Sequence, residues 1–272
     1  MSTSANPFQS PLDELFTRFN ILNGLLSFLE DYLNNFRKSL MENIDKGSID
    51  QSHLFSGTSL VIQDLSEWHE DRWARYYPTG KFVRQGEAYL QIVDVLMHRE
   101  CAWTISQAYE AFQTFLKDIT ATYLWIHGGE DKDIEHWKES VREHCWKKVD
   151  FLALLREIAP ELKEVEQQNN RTIELSEWHS VAAAVRHAAT HSNMLIKSNE
   201  MHKWSQVKHD LLAHFFPGTY TDGGYRLDLC RKDADSNLNL FAEYAFTVFK
   251  SLSKLDSYRW NMLPGITNKD AA

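Results

Sequence analysis

The sequence predicts an all-α fold, a helical bundle preceded by an N-terminal helical extension. Two observations carry this expectation. Apolar residues recur at three- and four-residue steps over long stretches, with no convincing series of alternating strands. Glycine and proline are scarce, 11 and 6 in 272 residues, whereas sandwiches and barrels spend them on many turns. A hydrophobic share of 43% with 12% aromatics is ample for a packed core, which excludes wholesale disorder.

The elements follow in order. After Pro11-Leu12-Asp13, Leu15, Phe19, Leu22, Leu25, Leu26, Leu29, Leu33 and Phe36 mark a long helix that fades near Asp45 and stops at Lys46-Gly47-Ser48. Tyr77-Pro78-Thr79-Gly80 is a turn signal and marks the boundary between the extension (1–80) and the main helical domain (81–262), with a flexible tail over 263–272. Helical periodicity resumes at Phe82 and runs to Trp125, with a break near His98-Arg99; Ala108, Tyr109, Phe112, Phe115, Leu116 and Ile119 form its apolar stripe. A third helix spans Asp133 to about Ile158, ended by Pro160, and the polar stretch 164–171 reads as a linker. An Ala-rich helix over 173–195 follows, then one from Ser198-Asn199-Glu200 to Phe216-Pro217-Gly218. The segment through Asp222-Gly223-Gly224 reads as a loop, and a last helix carries Leu238, Phe241, Ala245, Val248, Phe249 and Leu252.

Lys plus Arg number 29 against 38 Asp plus Glu, a formal charge of −9. A protein that coats nucleic acid is normally basic, so any nucleic-acid contact here must be local. The three cysteines show no metal-ligand spacing and fit a reduced compartment. With no signal-like start and no long apolar run, the expectation is a cytoplasmic protein with no membrane contact. The nine tryptophans are scattered and read mostly as core or helix-contact residues.

One window stands apart. Residues 178–199 contain no Asp or Glu, although the chain averages about one acid per seven residues. The local field should therefore be positive, as an anion site requires. On a wheel of about 100° per residue, Trp178, Val181, Val185, Ala188, Ser192 and Leu195 share the core arc. Ala183, Arg186, His187, Thr190 and Asn193 lie broadly opposite, and His191 lies on a flank. Arg186 and His191 stand about 140° apart, so convergence requires the reach of Arg, a helix distortion or symmetry across two chains. Arg supplies a fixed fork of donors for a phosphate, and His moves a proton near neutral pH. That pairing suits RNA cleavage, in which the 2′-hydroxyl is the nucleophile and no metal is needed. Glu110, beside the aromatic stripe, is either a surface carboxylate or one that orients Arg186 across the bundle.

Arg186-His187-Ala188-Ala189-Thr190-His191, followed by Ser192-Asn193, resembles the Arg-x(4–6)-His signature of the HEPN superfamily. The stretch from Gln107 to Leu116 is similar to that family's early core helix. The resemblance covers roughly residues 85–260. It implies a HEPN-like all-α bundle, usually dimeric, with two motifs meeting at a shared cleft. It also implies metal-independent endoribonuclease activity in toxin–antitoxin or anti-phage defence, with no cofactor. Arg186 and His191 would be the catalytic pair, supported by His187, Thr190, Asn193 and Glu110; RNA, a second copy and an antitoxin or defence protein would be the partners. Members silenced by nucleotidylation carry a Tyr two residues after the motif His; here Asn193 stands there, which puts that control in doubt.

Two other readings compete. His187 and His191, four apart, are a workable metal pair, joined by His179 or by His202 and His209 in a metal-dependent hydrolase. Alternatively the chain is a non-catalytic interaction or sensor module that keeps the motif for folding or dimerisation. The arrangement of Arg186 and His191 discriminates between them.

Overall fold

Every seventh residue of the first helix is a buried leucine or phenylalanine: Leu12, Phe19, Leu26, Leu33 and Leu40. That repeat keeps one seam facing its partners along α1 (Gln9–Asp45). The computed structural model describes residues 6–46, 54–57, 61–63, 76–78, 82–128, 133–145 and 150–254. Nine helices occur among them, and the fold is mostly helical, as the periodicity predicts.

The chain divides into two compact units, Ser27–Glu100 and a larger one made of Met1–Leu26 with Cys101–Ala272. The division does not follow the turn signal at 77–80. Residues 9–26 join the larger unit because Phe19 meets Phe241 and Leu15 lies beside Phe115. The expected tail over 263–272 lies outside the described residues.

The unit Ser27–Glu100 holds two short antiparallel ladders. Strand β1 (Leu54–Gly57) pairs with β4 (Phe82–Gln85), and β2 (Val61–Gln63) pairs with β3 (Tyr76–Pro78). Phe82 therefore starts a strand rather than a helix, and α2 (Gly86–His127) begins four residues later. Helix α2 runs through His98-Arg99 without the expected break. Within the unit, Arg37 of α1 pairs with Asp94 of α2.

In the larger unit, α2 supplies the core stripe Ala102, Ile105, Ala108, Phe112, Phe115 and Ile119, all buried. The single helix expected over 133–158 is two, α3 (Ile134–Cys145) and α4 (Phe151–Ile158). Asp150 explains the new start: its side chain accepts from the Ala153 amide at 3.1 Å, an N-cap. The linker expected over 164–171 contains most of a helix, α5 (Glu161–Gln167). Glu166 holds it in place. Its buried carboxylate accepts two bonds from Arg156 on α4, at 2.7 and 3.0 Å, and one from the Tyr244 hydroxyl. Burial pushes the Tyr244 hydroxyl well up, and the neighbouring Glu166 charge adds to it.

Helix α6 (Leu175–His191) ends earlier than its apolar pattern suggests. Asn193 and Met194 take left-handed backbone conformations, φ 49° and 68°, which close the helix and turn the chain. Leu195 then opens strand β5 (Leu195–Lys197). The helix expected over 198–216 is also two, α7 (Ser198–Met201) and α8 (Gln206–Phe215), the second capped by Ser205. The segment read as a loop at 222–224 is a hairpin. Strands β6 (Gly218–Thr221) and β7 (Gly224–Leu227) pair with Thr221 opposite Gly224, and β7 also pairs with β5. Gly224 has φ 142°, and a Cβ there would sit 2.0 Å from the Ile196 carbonyl oxygen, so glycine is required.

Helix α9 (Arg231–Ser253) buries Phe241, Tyr244, Val248 and Phe249 against this core. Its Asn237, fully buried, accepts from the Trp178 indole at 3.2 Å and donates to the Phe215 carbonyl at 2.8 Å. Of the other tryptophans expected in the core, Trp103 and Trp125 are nearly half exposed. Cys101 is buried and Cys230 exposed, and neither forms a disulfide.

Candidate functional site

Four of the six residues of the expected core arc are buried, Trp178, Val181 and Val185 at 0% exposed and Ala188 at 1%; the other two, Ser192 and Leu195, fall beyond the end of α6 and are half-buried. Ala182 and Ala184 are buried too, so part of the small-residue face is used inside the chain. On the opposite arc His187 and Asn193 are exposed and Thr190 is half-buried, and His191 on the flank is exposed. Thr190 donates its hydroxyl to the Arg186 carbonyl at 2.8 Å, one turn back, and is committed to the helix.

Arg186 reaches α2, where its guanidinium pairs with Glu110 at 2.5 Å. Of the two readings of Glu110, orientation of Arg186 is the one that describes its contact, although both side chains stay partly exposed, 35% for Arg186 and 45% for Glu110. Glu110 thus engages the Nη2 end of the fork and leaves the buried Nε without an acceptor among the described residues.

The His187 and His191 rings lie tilted against each other, centroids 5.1 Å apart. Among the described residues no hydrogen bond joins Arg186 to His191; Arg186 leans toward α2 while the two histidines lie against each other. Among the described residues no group of three or more His, Cys, Asp or Glu comes together as a metal donor set. His179, weighed as a third ligand, is spent elsewhere: its Nε2 lies 2.8 Å from the Gln113 amide nitrogen, and its ring stacks on Tyr109 at 5.1 Å.

That second contact repeats the first. Glu110 meets Arg186 and Gln113 meets His179, so positions rise on α2 as they fall on α6. The two helices run antiparallel, tied by two polar bridges. Burial pulls the His179 imidazole down to about 4, with Asp150 opposing and Arg156 reinforcing the shift. Burial also pushes the Tyr109 hydroxyl up; Glu110 adds to this and Arg186 counters it.

Beside this seam lies a cleft of about 450 Å³ lined from α2, α4 and α6, with Tyr109, Gln113, Asp150, Arg156, Ser176, His179 and Ser180 on its walls. Sequence reasoning missed it. The available signal was the seven-residue step from His179 to Arg186, two helical turns that place both on one face. On the β6–β7 hairpin, Tyr225 is 3% exposed and donates its hydroxyl to the Phe216 carbonyl, while Tyr220 is 69% exposed. No helix among the described residues is long and apolar enough to cross a membrane. Comparison with protein-family models, curated proteins and solved structures finds no match.

Proposed function

We propose that this chain is a metal-independent endoribonuclease of HEPN type, active as a cytoplasmic homodimer in a toxin–antitoxin or anti-phage setting. The observation that carries the reading is the C-terminal half of α6. A partly engaged Arg186 and two exposed histidines stand there in a stretch free of acids.

The reaction needs little from the protein. A ribose 2′-hydroxyl attacks the adjacent phosphorus, the 5′-oxygen leaves, and a 2′,3′-cyclic phosphate remains. His191 takes or returns the proton, and His187 beside it supplies a second polar group. Arg186 holds the non-bridging oxygens as charge develops on them. Its present partner does not prevent this. An ion pair this exposed contributes about 0.2–1 kcal/mol, so a phosphate can replace Glu110 at small cost. Because Arg186 and His191 diverge on one helix, the pair is completed across a two-fold axis, one residue from each copy.

The test is incubation of the purified chain with mixed RNA in EDTA. Cleavage should yield 2′,3′-cyclic phosphate ends, and DNA should be resistant. Arg186→Ala and His191→Ala should each slow the reaction at least about a hundredfold. Arg186→Lys should also be impaired, since a point charge does not replace the fork. Parent-like cleavage by both Ala variants would remove the assignment. Loss in EDTA with recovery in zinc or manganese would transfer it to His187 and His191 as metal ligands.

The Glu110–Arg186 bridge favours a second reading, in which the motif ties α2 to α6 in a non-catalytic interaction module. Under that reading the parent leaves RNA intact, and Arg186→Ala changes stability alone.

A further inference from the structure

The cleft between α2, α4 and α6 is more specific in its chemistry than in its size. Its volume, about 450 Å³, falls within the range of small-molecule sites. The charged groups on its walls are already engaged. Arg156 gives two donors to Glu166, which is 3% exposed. Asp150 caps α4. Ser180 accepts from Lys208 at 2.9 Å, and that ammonium faces Glu177 at 3.4 Å. Arg156, the one cation on the walls among the described residues, is thus already neutralised by Glu166.

The neutral hydrogen-bonding groups are another matter. The Gln113 amide nitrogen can only donate, so His179 Nε2 is the lone-pair nitrogen and the ring proton sits on Nδ1. Burial keeps the ring neutral, and the ring lines the cleft. Ser176 and Ser180 stand one turn apart on the same wall. Tyr109, half-buried and stacked on His179, gives the cleft an aromatic side. A fixed neutral donor, two hydroxyls and a ring face match an uncharged planar heterocycle rich in acceptors.

We propose that this cleft binds a single uncharged heterocyclic base, with His179, Ser176 and Ser180 reading its edge and Tyr109 its face. His179 and Arg186 share one face of α6, about 10 Å apart along its axis. The cleft thus deepens the ribonuclease reading, and rests on it for the ligand's being a unit of RNA. It selects the base near the phosphate that Arg186 holds.

The experiment is a titration of the full chain with uridine, cytidine, adenosine and guanosine, and with ribose as the ring-free control, read through the ¹⁵N and ¹H signals of the His179 ring. The expected result is a shift of Nδ1 with at least one nucleoside and none with ribose. Ser176→Trp, which fills the cleft from its rim, should weaken that nucleoside at least tenfold. His179→Phe, which keeps an aromatic stack but removes the donor, should weaken it similarly, read by calorimetry. Failure of every nucleoside to shift the ring, an equal response to ribose, or parent-like affinity in Ser176→Trp would each overturn the proposal. The two readings fail separately. A chain that binds nucleoside but leaves RNA whole keeps the cleft and loses the ribonuclease; one that cuts RNA without binding nucleoside does the reverse.

Discussion

His179 should make this protein lose stability on mild acidification, by an amount that can be worked from its surroundings. The ring lies among Tyr109 and Phe112 of α2 and Tyr244 of α9, with Gln113 on one nitrogen and Asp150 and Arg156 as the nearest charges. Folded, it titrates at about 4, against an ordinary value of 6.5. The unfolded chain therefore binds the proton more readily. Its contribution to stability is complete above pH 6.5 and is lost as the pH falls from there through 4. A tenfold difference in proton affinity is worth about 1.4 kcal/mol, so the loss is about 2 kcal/mol by pH 5 and about 3 kcal/mol by pH 4. Many carboxylates also titrate below pH 5, so the parent alone is not informative. The assay is urea unfolding at half-unit pH steps from 7.5 to 4, comparing the parent with His179→Phe. The parent should lose about 2 to 3 kcal/mol more than the variant over that range. Parallel pH profiles, or a His179 ring signal that titrates near 6.5, would refute the reasoning.

Three further outcomes follow from the fold. Glu166→Gln should cost about 3 kcal/mol, because it leaves the Arg156 guanidinium largely buried opposite an uncharged group; a loss below 1 kcal/mol in urea unfolding would mean that Arg156 escapes to water. Asn237→Leu strands the Trp178 indole and the Phe215 carbonyl, and should cost about 2–4 kcal/mol and lower the melting temperature by roughly 5–12 °C. Gly224→Ala drives a methyl group into the Ile196 carbonyl; it should weaken the β5–β7 pairing and speed amide exchange there, and parent-like protection would contradict the geometry.

What the sequence makes legible is periodicity. The seven-residue seam of α1, the stripe of α2 and the core arc of α6 are each written in one stretch of chain and need no partner to be read. What it hides is pairing at a distance. Residues 164–171 look like a polar linker because Glu166 is an acid, and only the fold shows that Arg156 and Tyr244 enclose it. Asp222-Gly223-Gly224 is ambiguous until β5 arrives beside β7 to complete the sheet. At the site, Arg186 and the histidines are readable as a motif. The Gln113–His179 bridge is not, because neither residue belongs to a recognisable pattern and their meeting depends on how α2 lies along α6. Glu110 sits between these cases, since its position beside the stripe suggests a role that its contact with Arg186 makes specific.

The meeting of Phe19 with Phe241, ring centroids 6.4 Å apart, sets a clock on the making of this protein. Roughly 220 residues separate the two, and at about 5–20 residues per second a ribosome needs roughly 10–45 s to travel from one to the other. Throughout that interval Phe19 lacks the ring it rests on in the finished fold, and Asn23 waits for Arg231 in the same way. The start of α1 is thus an early-made, late-placed segment, open to chaperones or to a neighbouring nascent chain until α9 has been synthesised.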